Sequence, residues 1–226
     1  MSILKKLLSY FIPVNIHKQK SDISKNLEVT WNNGQLVLDS LNTNYSYGSL
    51  QRILRKGLQT IGYNAVKDMN QILVLGVAGG SVIKTLVNEI GFTGKITGVE
   101  LDAAVVDLSN KYFGMNSIPN FHLIIDDAFE FVLKTKAQYD LIIVDIFSDT
   151  TMPNFLFENF FTNRLGEILV DGGKILFNTM ILNEAENKRN KIYIQNINLD
   201  LFDIMTIPRV ENHNELILIT KKHRKI

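Results

Sequence analysis

The middle of the chain alternates short apolar runs with segments whose apolar residues recur at helical spacing. The apolar runs predict strands that are covered on both faces, at residues 72–75, 95–101, 121–125, 139–147 and 174–180. The helical spacing predicts helices over residues 82–90, 103–113, 128–135 and 157–170. A turn at Asp171, Gly172 and Gly173 is expected between the last of these helices and its strand. Repeated βα units of this kind indicate a parallel sheet covered by helices.

The two ends of the chain follow other patterns. Near the start, Asn33 and Gly34 supply a positive-φ turn between predicted strands 27–31 and 35–38, followed by a helix over 47–61. Near the end, a polar helix over 184–196 precedes strands 202–210 and 215–220. Only four residues join these strands, which is enough for a hairpin but not for a parallel crossover. We therefore expect an α/β fold with a mostly parallel seven-stranded sheet, an antiparallel C-terminal hairpin, helices on both faces and a small N-terminal β hairpin.

The first residues carry an apolar stripe that needs a separate interpretation. Its members recur at helical spacing before Pro13; they are Ile3, Leu4, Leu7, Leu8, Phe11 and Ile12. Lys5 and Lys6 interrupt the apolar run, no cleavage-site pattern follows, and no stretch reaches the roughly 20 residues of a membrane span. We expect the stripe to pack on this protein or on a second subunit, as in a homodimer. Peripheral membrane contact is the alternative.

Composition excludes several classes of function. The chain has 226 residues, 46% of them hydrophobic, and a net charge of +1, so it should be globular and is not expected to bind nucleic acid. The basic tail from Lys221 to Ile226 is expected to be a solvated terminus. The chain has no cysteine and its four histidines lack ligand spacing, so we expect no metal. The absence of cysteine is compatible with a reducing compartment, and we expect a cytoplasmic protein.

The most informative segment is a glycine turn between the first core strand and its helix. Gly76, Gly79 and Gly80 separate the buried run Ile72 to Leu75 from the helix that follows. Glycine permits positive φ and a close approach of the backbone, and a helix N-terminus offers unpaired N–H groups. Such a junction is typical of sites that bind an anionic or nucleotide ligand.

The residues around this turn narrow the choice of ligand. The dinucleotide fingerprint G-x-G-x-x-G, counted from Gly76, would need glycine at Ala78 and Ser81, and a phosphate loop ending in Gly-Lys-Ser/Thr is absent. Glu100 lies at the end of the second strand, 24 residues after Gly76. A carboxylate at this place can accept both hydroxyls of an adenosine ribose.

Taken in order, these motifs resemble a known family. The chain is similar to the S-adenosylmethionine-dependent methyltransferase superfamily with its Rossmann-like fold, and within it to the spermidine synthases, which are polyamine aminopropyltransferases. The resemblance covers roughly residues 27–220 and rests on TNYSYGSLQ, VLGVAGGS, GVELD, IDDAFEFV, YDLIIVDIFSD and the closing hairpin. It implies an N-terminal helix and hairpin segment at residues 1–45 and a Rossmann-like cofactor-binding domain at residues 46–226.

The resemblance also implies roles for individual residues. S-adenosylmethionine or its decarboxylated form would contact Gly76, Ala78, Gly79, Gly80, Glu100, Leu101, Asp127 and Ala128. Glu100 would hold the ribose, and Asp127 with Ala128 would meet the adenine, although Asp126 and Asp127 could equally cap the following helix. Asp145 and Asp149 would act in catalysis, where a carboxylate can orient or deprotonate an attacking amine. Asp149 and Tyr47 would also contact a small-molecule acceptor.

The chain departs from the aminopropyltransferase pattern in the part that should bind amines. The family usually has an acidic residue in its glycine turn, and the aligned residue here is Gly79. It also spaces two aspartates three apart with a proline directly after them, whereas Asp145 and Asp149 are four apart and the proline is delayed to Pro153. We therefore expect methyl transfer to an unidentified acceptor, with aminopropyl transfer and a non-catalytic nucleoside-binding protein as alternatives.

Overall fold

The computed structural model describes residues 3–40, 44–147, 151–211 and 213–223. Eleven strands lie within these ranges: β1 Val14–Ser21, β2 Lys25–Asn32, β3 Gln35–Asp39, β4 Asn44–Ser46, β5 Gln71–Leu75, β6 Lys95–Glu100, β7 Phe121–Ile125, β8 Tyr139–Val144, β9 Leu169–Met180, β10 Phe202–Val210 and β11 Asn214–Lys221. The α-helices are α1 Ile3–Leu8, α2 Gly48–Ile61, α3 Tyr63–Lys67, α4 Ser81–Lys84, α5 Ala103–Phe113, α6 Ala128–Lys134, α7 Asn159–Glu167 and α8 Glu184–Asn196. A π-helical segment, Thr85–Ile90, continues α4.

The large sheet has seven strands in the order β10-β11-β9-β8-β5-β6-β7. β5 is its centre and pairs in parallel with β6 on one side and β8 on the other. All four core residues of β5, Ile72 to Leu75, are fully buried because helices cover both faces of the sheet. From β5 the chain fills one side with β6 and β7 and then crosses to β8. The carboxyl ends of β5, β6 and β8 therefore meet at the point where the strand order reverses, which is where ligands bind in such sheets.

The predicted fold is confirmed in its main features. The sheet is mostly parallel, and β11 pairs antiparallel with both β9 and β10, which makes the closing hairpin. The fold is the Rossmann-like methyltransferase fold. One local prediction is wrong. Asp171 to Gly173 is not a turn before the strand, because β9 already begins at Leu169 and absorbs these residues in a register shift, with Gly172 at φ +77°. The helix predicted over 157–170 is confirmed as α7 but is shorter, and a 3-10 turn, Asn154–Phe157, precedes it.

The N-terminal region is larger than the predicted hairpin. β2 and β3 pair antiparallel around Asn33 and Gly34 as predicted, but they belong to a four-stranded sheet in the order β1-β2-β3-β4. β1 lies at the edge and none of its side chains is fully buried, so its sequence lacks the apolar alternation that would reveal a strand. The boundary predicted at residues 45 and 46 stays a prediction.

The apolar stripe of the first residues is not packed on this chain. α1 ends at Leu8, and the stripe residues are between 46% and 87% exposed. The expectation that the stripe covers the protein's own surface is therefore wrong. Of the basic tail, the last three residues lie outside the described ranges. No helix in the described part of the chain is long and apolar enough to cross a membrane.

Candidate active site

A cavity opens at the carboxyl ends of β5, β6 and β8. Seven predicted site residues line it: Gly76, Ala78, Glu100, Leu101, Asp127, Ala128 and Asp145. They come from four different loops, and the sheet brings them together because parallel strands end at one edge. The remaining lining residues are mostly apolar: Ile23, Ser24, Leu50, Val99, Ile146, Phe147, Pro153 and Phe155. The cavity thus presents three carboxylates within an apolar wall.

Glu100 holds the glycine turn through its carboxylate. Oε2 accepts hydrogen bonds from the backbone N–H groups of Val77 and Ala78 at 3.1 and 3.0 Å, and Oε1 accepts one from Asp102 at 3.1 Å. Burial raises the pKa of Glu100, while these backbone hydrogen bonds oppose the rise. A carboxylate has about four lone-pair sites, so three donors leave capacity on Oε1 for a hydroxyl group of a ligand.

Asp102, two residues later, connects the cavity to the N-terminal sheet. Its Oδ1 accepts from the N–H of Ala104 at 2.9 Å and so caps α5, while Oδ2 accepts from the hydroxyls of Ser21 and Ser24, the latter at 2.6 Å. Burial raises the pKa of Asp102, but the serine hydrogen bonds outweigh it and the pKa lies below its ordinary value. These contacts hold the β1–β2 turn against the site, and Ile23 and Ser24 thereby reach the cavity.

Asp127 caps α6 and keeps one oxygen for other partners. Its Oδ1 accepts from the N–H groups of Phe129 and Glu130 at 2.7 and 3.3 Å. Within the described residues, Oδ2 has no hydrogen-bond partner. Because Ala128 is the first residue of α6, its N–H is one of the donors that a helix leaves unpaired. An acceptor and a donor thus lie side by side, which suits the amino group and a ring nitrogen of a purine. The helix-capping and purine-binding roles are compatible in this geometry.

Asp145 follows β8 at the base of the cavity. Its backbone N–H donates to the carbonyl of Leu75 at 2.9 Å, and its Oδ1 accepts from Nδ2 of Asn178 on β9 at 2.8 Å. Asn178 is fully buried, and its own Oδ1 accepts from Nδ2 of Asn214 at 3.0 Å. Burial raises the pKa of Asp145 to about 7, with a further contribution from the charge of Glu100, and the hydrogen bond from Asn178 opposes the rise.

Two glycines of the turn lie in places that have no room for a side chain. Gly76 lets the loop pass close to Asp145, and Gly79 stands where the family usually has an acidic residue. A Cβ on Gly76, which has φ +85°, would lie 2.1 Å from the carbonyl oxygen of Asp145. A Cβ on Gly79 would lie 2.8 Å from Cβ of Ser46. Ser46 is buried, and its Oγ accepts from the N–H of Ser81 at 3.2 Å. The space that a side chain at residue 79 would need is therefore occupied by β4.

The family of the chain follows from comparison with known proteins. Residues 52–221, which are more than half of the chain, match the family described as "Spermine/spermidine synthase domain". The chain belongs to this family.

One curated relative and two solved structures show what the chain is similar to, and the solved structures concern the fold alone. A polyamine aminopropyltransferase of Thermoplasma volcanium is 33% identical over 121 residues, which are 51% of this chain and 44% of the relative. The spermidine synthase of Thermotoga maritima superposes with a TM-score of 0.68 at 17% identity, over 94% of this chain and 74% of that one. Human methyltransferase-like protein 13, solved with SAH, superposes with a TM-score of 0.64 at 19% identity, over 79% of this chain and 84% of that one. The chain spans less than half the length of the curated relatives it matches.

Some predicted site residues lie away from the cavity. Gly79 and Gly80 do not line it, since they pack against Ser46 and Met115. Tyr47 faces a second cleft and stacks on Phe113, with ring centroids 5.1 Å apart. Asp149 lies outside the described residues. Their roles toward a donor or an acceptor stay predictions. Within the described residues, no group of three His, Cys, Asp or Glu side chains is arranged to hold a metal ion.

Several residues reach the site without a signal in the sequence. Ile23 and Ser24 come from the N-terminal sheet, and Asn178 comes from a strand whose neighbours are apolar. The polar Asn178 within ILFNTM is the one sign that could have been noticed, because a buried amide needs partners. Its partner Asn214 is 36 residues away in sequence.

Proposed function

We propose that the protein is a transferase of the aminopropyltransferase type, which uses decarboxylated S-adenosylmethionine as donor and a small amine as acceptor. The observation that carries the proposal is the half-buried Asp145, whose pKa burial raises to about 7, in the cavity of a spermine/spermidine synthase domain. A base with a pKa near the working pH is suited to take a proton from an amine as it attacks.

The donor set of the cavity fits an adenosyl group. We assign the ribose to Glu100 and the adenine to Asp127 Oδ2 and the N–H of Ala128. The unused lone pair on Glu100 Oε1 and the unpartnered Oδ2 of Asp127 support this assignment, because both atoms can accept from neutral hydroxyl or amino groups. Leu101 and Ala78 contribute apolar surface beside them.

Asp145 carries the chemistry in this proposal. A sulfonium donor supplies a carbon whose bond to sulfur breaks as an amine nitrogen attacks it, with the bonding electron pair going to sulfur. The carboxylate of Asp145 orients the amine and accepts the proton that the new ammonium group releases. Around it, Ile146, Phe147 and Phe155 form an apolar wall that suits the hydrocarbon part of an amine. Asp149 remains our candidate for the second end of a diamine.

Methyl transfer from S-adenosylmethionine is the second candidate. The observation that favours it is the glycine turn, where the absence of an acid at Gly79 leaves no carboxylate for the amino end of a decarboxylated donor. The side chain of Ser46 fills that space instead. A turn without a negative charge is compatible with a donor that carries its own carboxylate beside its amino group.

Mass spectrometry of the products separates the two candidates. The protein would be incubated with decarboxylated S-adenosylmethionine or with S-adenosylmethionine, each with putrescine or a monoamine of equal chain length. We expect methylthioadenosine and an aminopropylated amine from the decarboxylated donor. S-adenosylhomocysteine with a methylated amine would replace the first candidate by the second. Donor binding without any product would identify a nucleoside-binding protein and contradict both.

A further inference from the structure

The first residues of the chain form a surface on which large apolar side chains are exposed and a small polar one, Ser9, is buried. We define the N-terminal surface as residues 3–12 without Ser9. Its seven large apolar side chains are between 46% and 87% exposed: Ile3, Leu4, Leu7, Leu8, Tyr10, Phe11 and Ile12. A contiguous group of this size on a folded chain marks an interaction site.

Polar contacts attach this segment to the rest of the protein. Ser9 is only 2% exposed, and its Oγ accepts from the N–H of Gly34 at 3.0 Å. The carbonyl of Ser9 accepts from the N–H of Asn33, also at 3.0 Å. Lys6 places its Nζ 5.7 Å from the centre of the Trp31 ring. The segment is thus held on the β2–β3 turn by its serine and a lysine, and the Tyr10 ring lies against Gly34, while the aliphatic side chains and Phe11 stay exposed.

The charges of this region are of one sign. Every charged side chain in residues 3–20 is a lysine, at positions 5, 6, 18 and 20, and the first acidic residue is Asp22. Lys18 forms an ion pair with Glu28, whereas Lys5 and Lys6 form no salt bridge within the described residues. Exposed apolar side chains next to unpaired lysines are typical of segments that lie in the interface of an anionic bilayer.

We propose that the N-terminal surface is a peripheral docking site for an anionic lipid membrane. The apolar side chains enter the interface and Lys5 meets the lipid headgroups, while Lys6 adds its positive charge from its place over the Trp31 ring. The positive charge of the N-terminal surface favours an anionic membrane over a second copy of the chain as its partner. A symmetric dimer through this surface would place the same lysines of both copies together, whereas a bilayer with anionic lipids attracts them.

Vesicle co-sedimentation tests the proposal. The full chain would be mixed with vesicles of phosphatidylcholine alone or with 30% phosphatidylglycerol. We expect binding to the anionic vesicles and little to the neutral ones. Lys5→Gln with Lys6→Gln should weaken the partition coefficient by about tenfold or more, since each lysine near an anionic surface contributes appreciably. Leu7→Glu with Phe11→Glu should abolish binding.

A matched control separates this surface from a general effect of exposed apolar residues. Phe160→Glu with Leu199→Glu removes two side chains that are each 62% exposed elsewhere and adds the same charge. This control should sediment like the unmodified chain. Equal loss of binding in both double variants, equal binding to both vesicle types, or no binding to either would overturn the proposal. So would a dimer in analytical ultracentrifugation that Leu7→Glu with Phe11→Glu dissociates, because a second copy would then cover the surface.

Discussion

The cavity has two parts that satisfy their polar groups in different ways, and we name them after the proposed function. The donor half lies around Glu100 and Asp127, to which we assign the adenosyl group, and the acceptor half lies around Asp145. In the donor half, Glu100 and Asp127 each accept two or more backbone N–H groups, from the glycine turn, Asp102 and the start of α6. In the acceptor half, Asp145 has one amide partner, Asn178, and otherwise meets apolar side chains such as Phe147 and Phe155. The donor half is therefore built from backbone geometry and the acceptor half from side chains.

The difference in hydrogen-bond partners suits the donor half to binding a ligand and the acceptor half to proton transfer. Backbone N–H groups at strand ends and helix starts are fixed by the fold, so the donor half is rigid and oriented for a neutral polar ligand. The carboxylate of Asp145 has no backbone N–H donor among the described residues, so burial raises its pKa to about 7 against the hydrogen bond from Asn178. Many hydrogen-bond donors keep a ligand-binding carboxylate ionised and oriented. A carboxylate that acts as a base needs few of them, because each hydrogen bond to the ionised form lowers its basicity.

Removing the base should give the largest effect. We expect Asp145→Asn to lower the turnover number of the proposed transfer by about 100- to 10,000-fold, because general-base catalysis contributes about that much. Donor affinity, measured by isothermal titration, should change little, since the substitution lies in the acceptor half. Asp107→Asn, an exposed aspartate on α5, is the matched control. A variant that keeps more than about a tenth of the activity would contradict the role of Asp145.

Changing the donor half should act on affinity instead. We expect Glu100→Gln to weaken donor binding by about tenfold to a hundredfold, because a hydrogen bond to a charged acceptor is lost and the glycine turn loses its anchor. The turnover number at saturating donor should fall much less. Glu130→Gln on the exposed face of α6 controls for the loss of charge. Unchanged donor affinity in Glu100→Gln would remove the ribose assignment.

A smaller effect should come from the amide that supports the base. Asn178 lowers the pKa of Asp145 through its hydrogen bond, so Asn178→Leu should raise that pKa. The rate should then fall by less than about tenfold at pH 7 and recover at higher pH, since a base acts when it is deprotonated. The pH profile of the rate is the measurement, with Asn64→Leu at an exposed position as the control. A loss of rate that is equal at all pH values would indicate damage to packing instead.

The sequence and the structure agree better in the donor half than in the acceptor half. Gly76, Glu100 and Asp127 could be found because local rules place them: a glycine turn after a strand, an acid at a strand end and a helix cap. The alternation of strands and helices and the closing hairpin followed from periodicity and from a four-residue connection.

The features that sequence reasoning missed depend on contacts between distant segments, which periodicity does not reveal. Asn178 and Asn214 are joined only by the pairing of β9 with β11, and Ile23 reaches the cavity through the hydrogen bonds of Asp102. The filling of the space beside Gly79 by Ser46 was equally hidden, because β4 lies 33 residues before it in the chain. The edge strand β1 was missed since a half-exposed polar strand has no apolar pattern to detect.

The last effect concerns the free energy of unfolding, which the carboxylate of Asp145 lowers at neutral pH. The pKa of Asp145 rises from 3.8 to about 7 on folding, so between these values the folded state binds the proton more tightly than the unfolded state. Stability from this group is therefore fully present below pH 4 and is lost as pH rises through 7.

Asn is neutral at every pH and can still accept the hydrogen bond from Asn178. We expect Asp145→Asn to match the unmodified chain near pH 4 and to melt about ten degrees higher at pH 8, for a gain of about 4 kcal/mol, since a pKa rise of about three units is worth about 1.4 kcal/mol per unit. Thermal melts at both pH values measure this, and a melting difference that does not grow with pH would show that the carboxylate of Asp145 is solvated and that the contrast between the two halves is wrong.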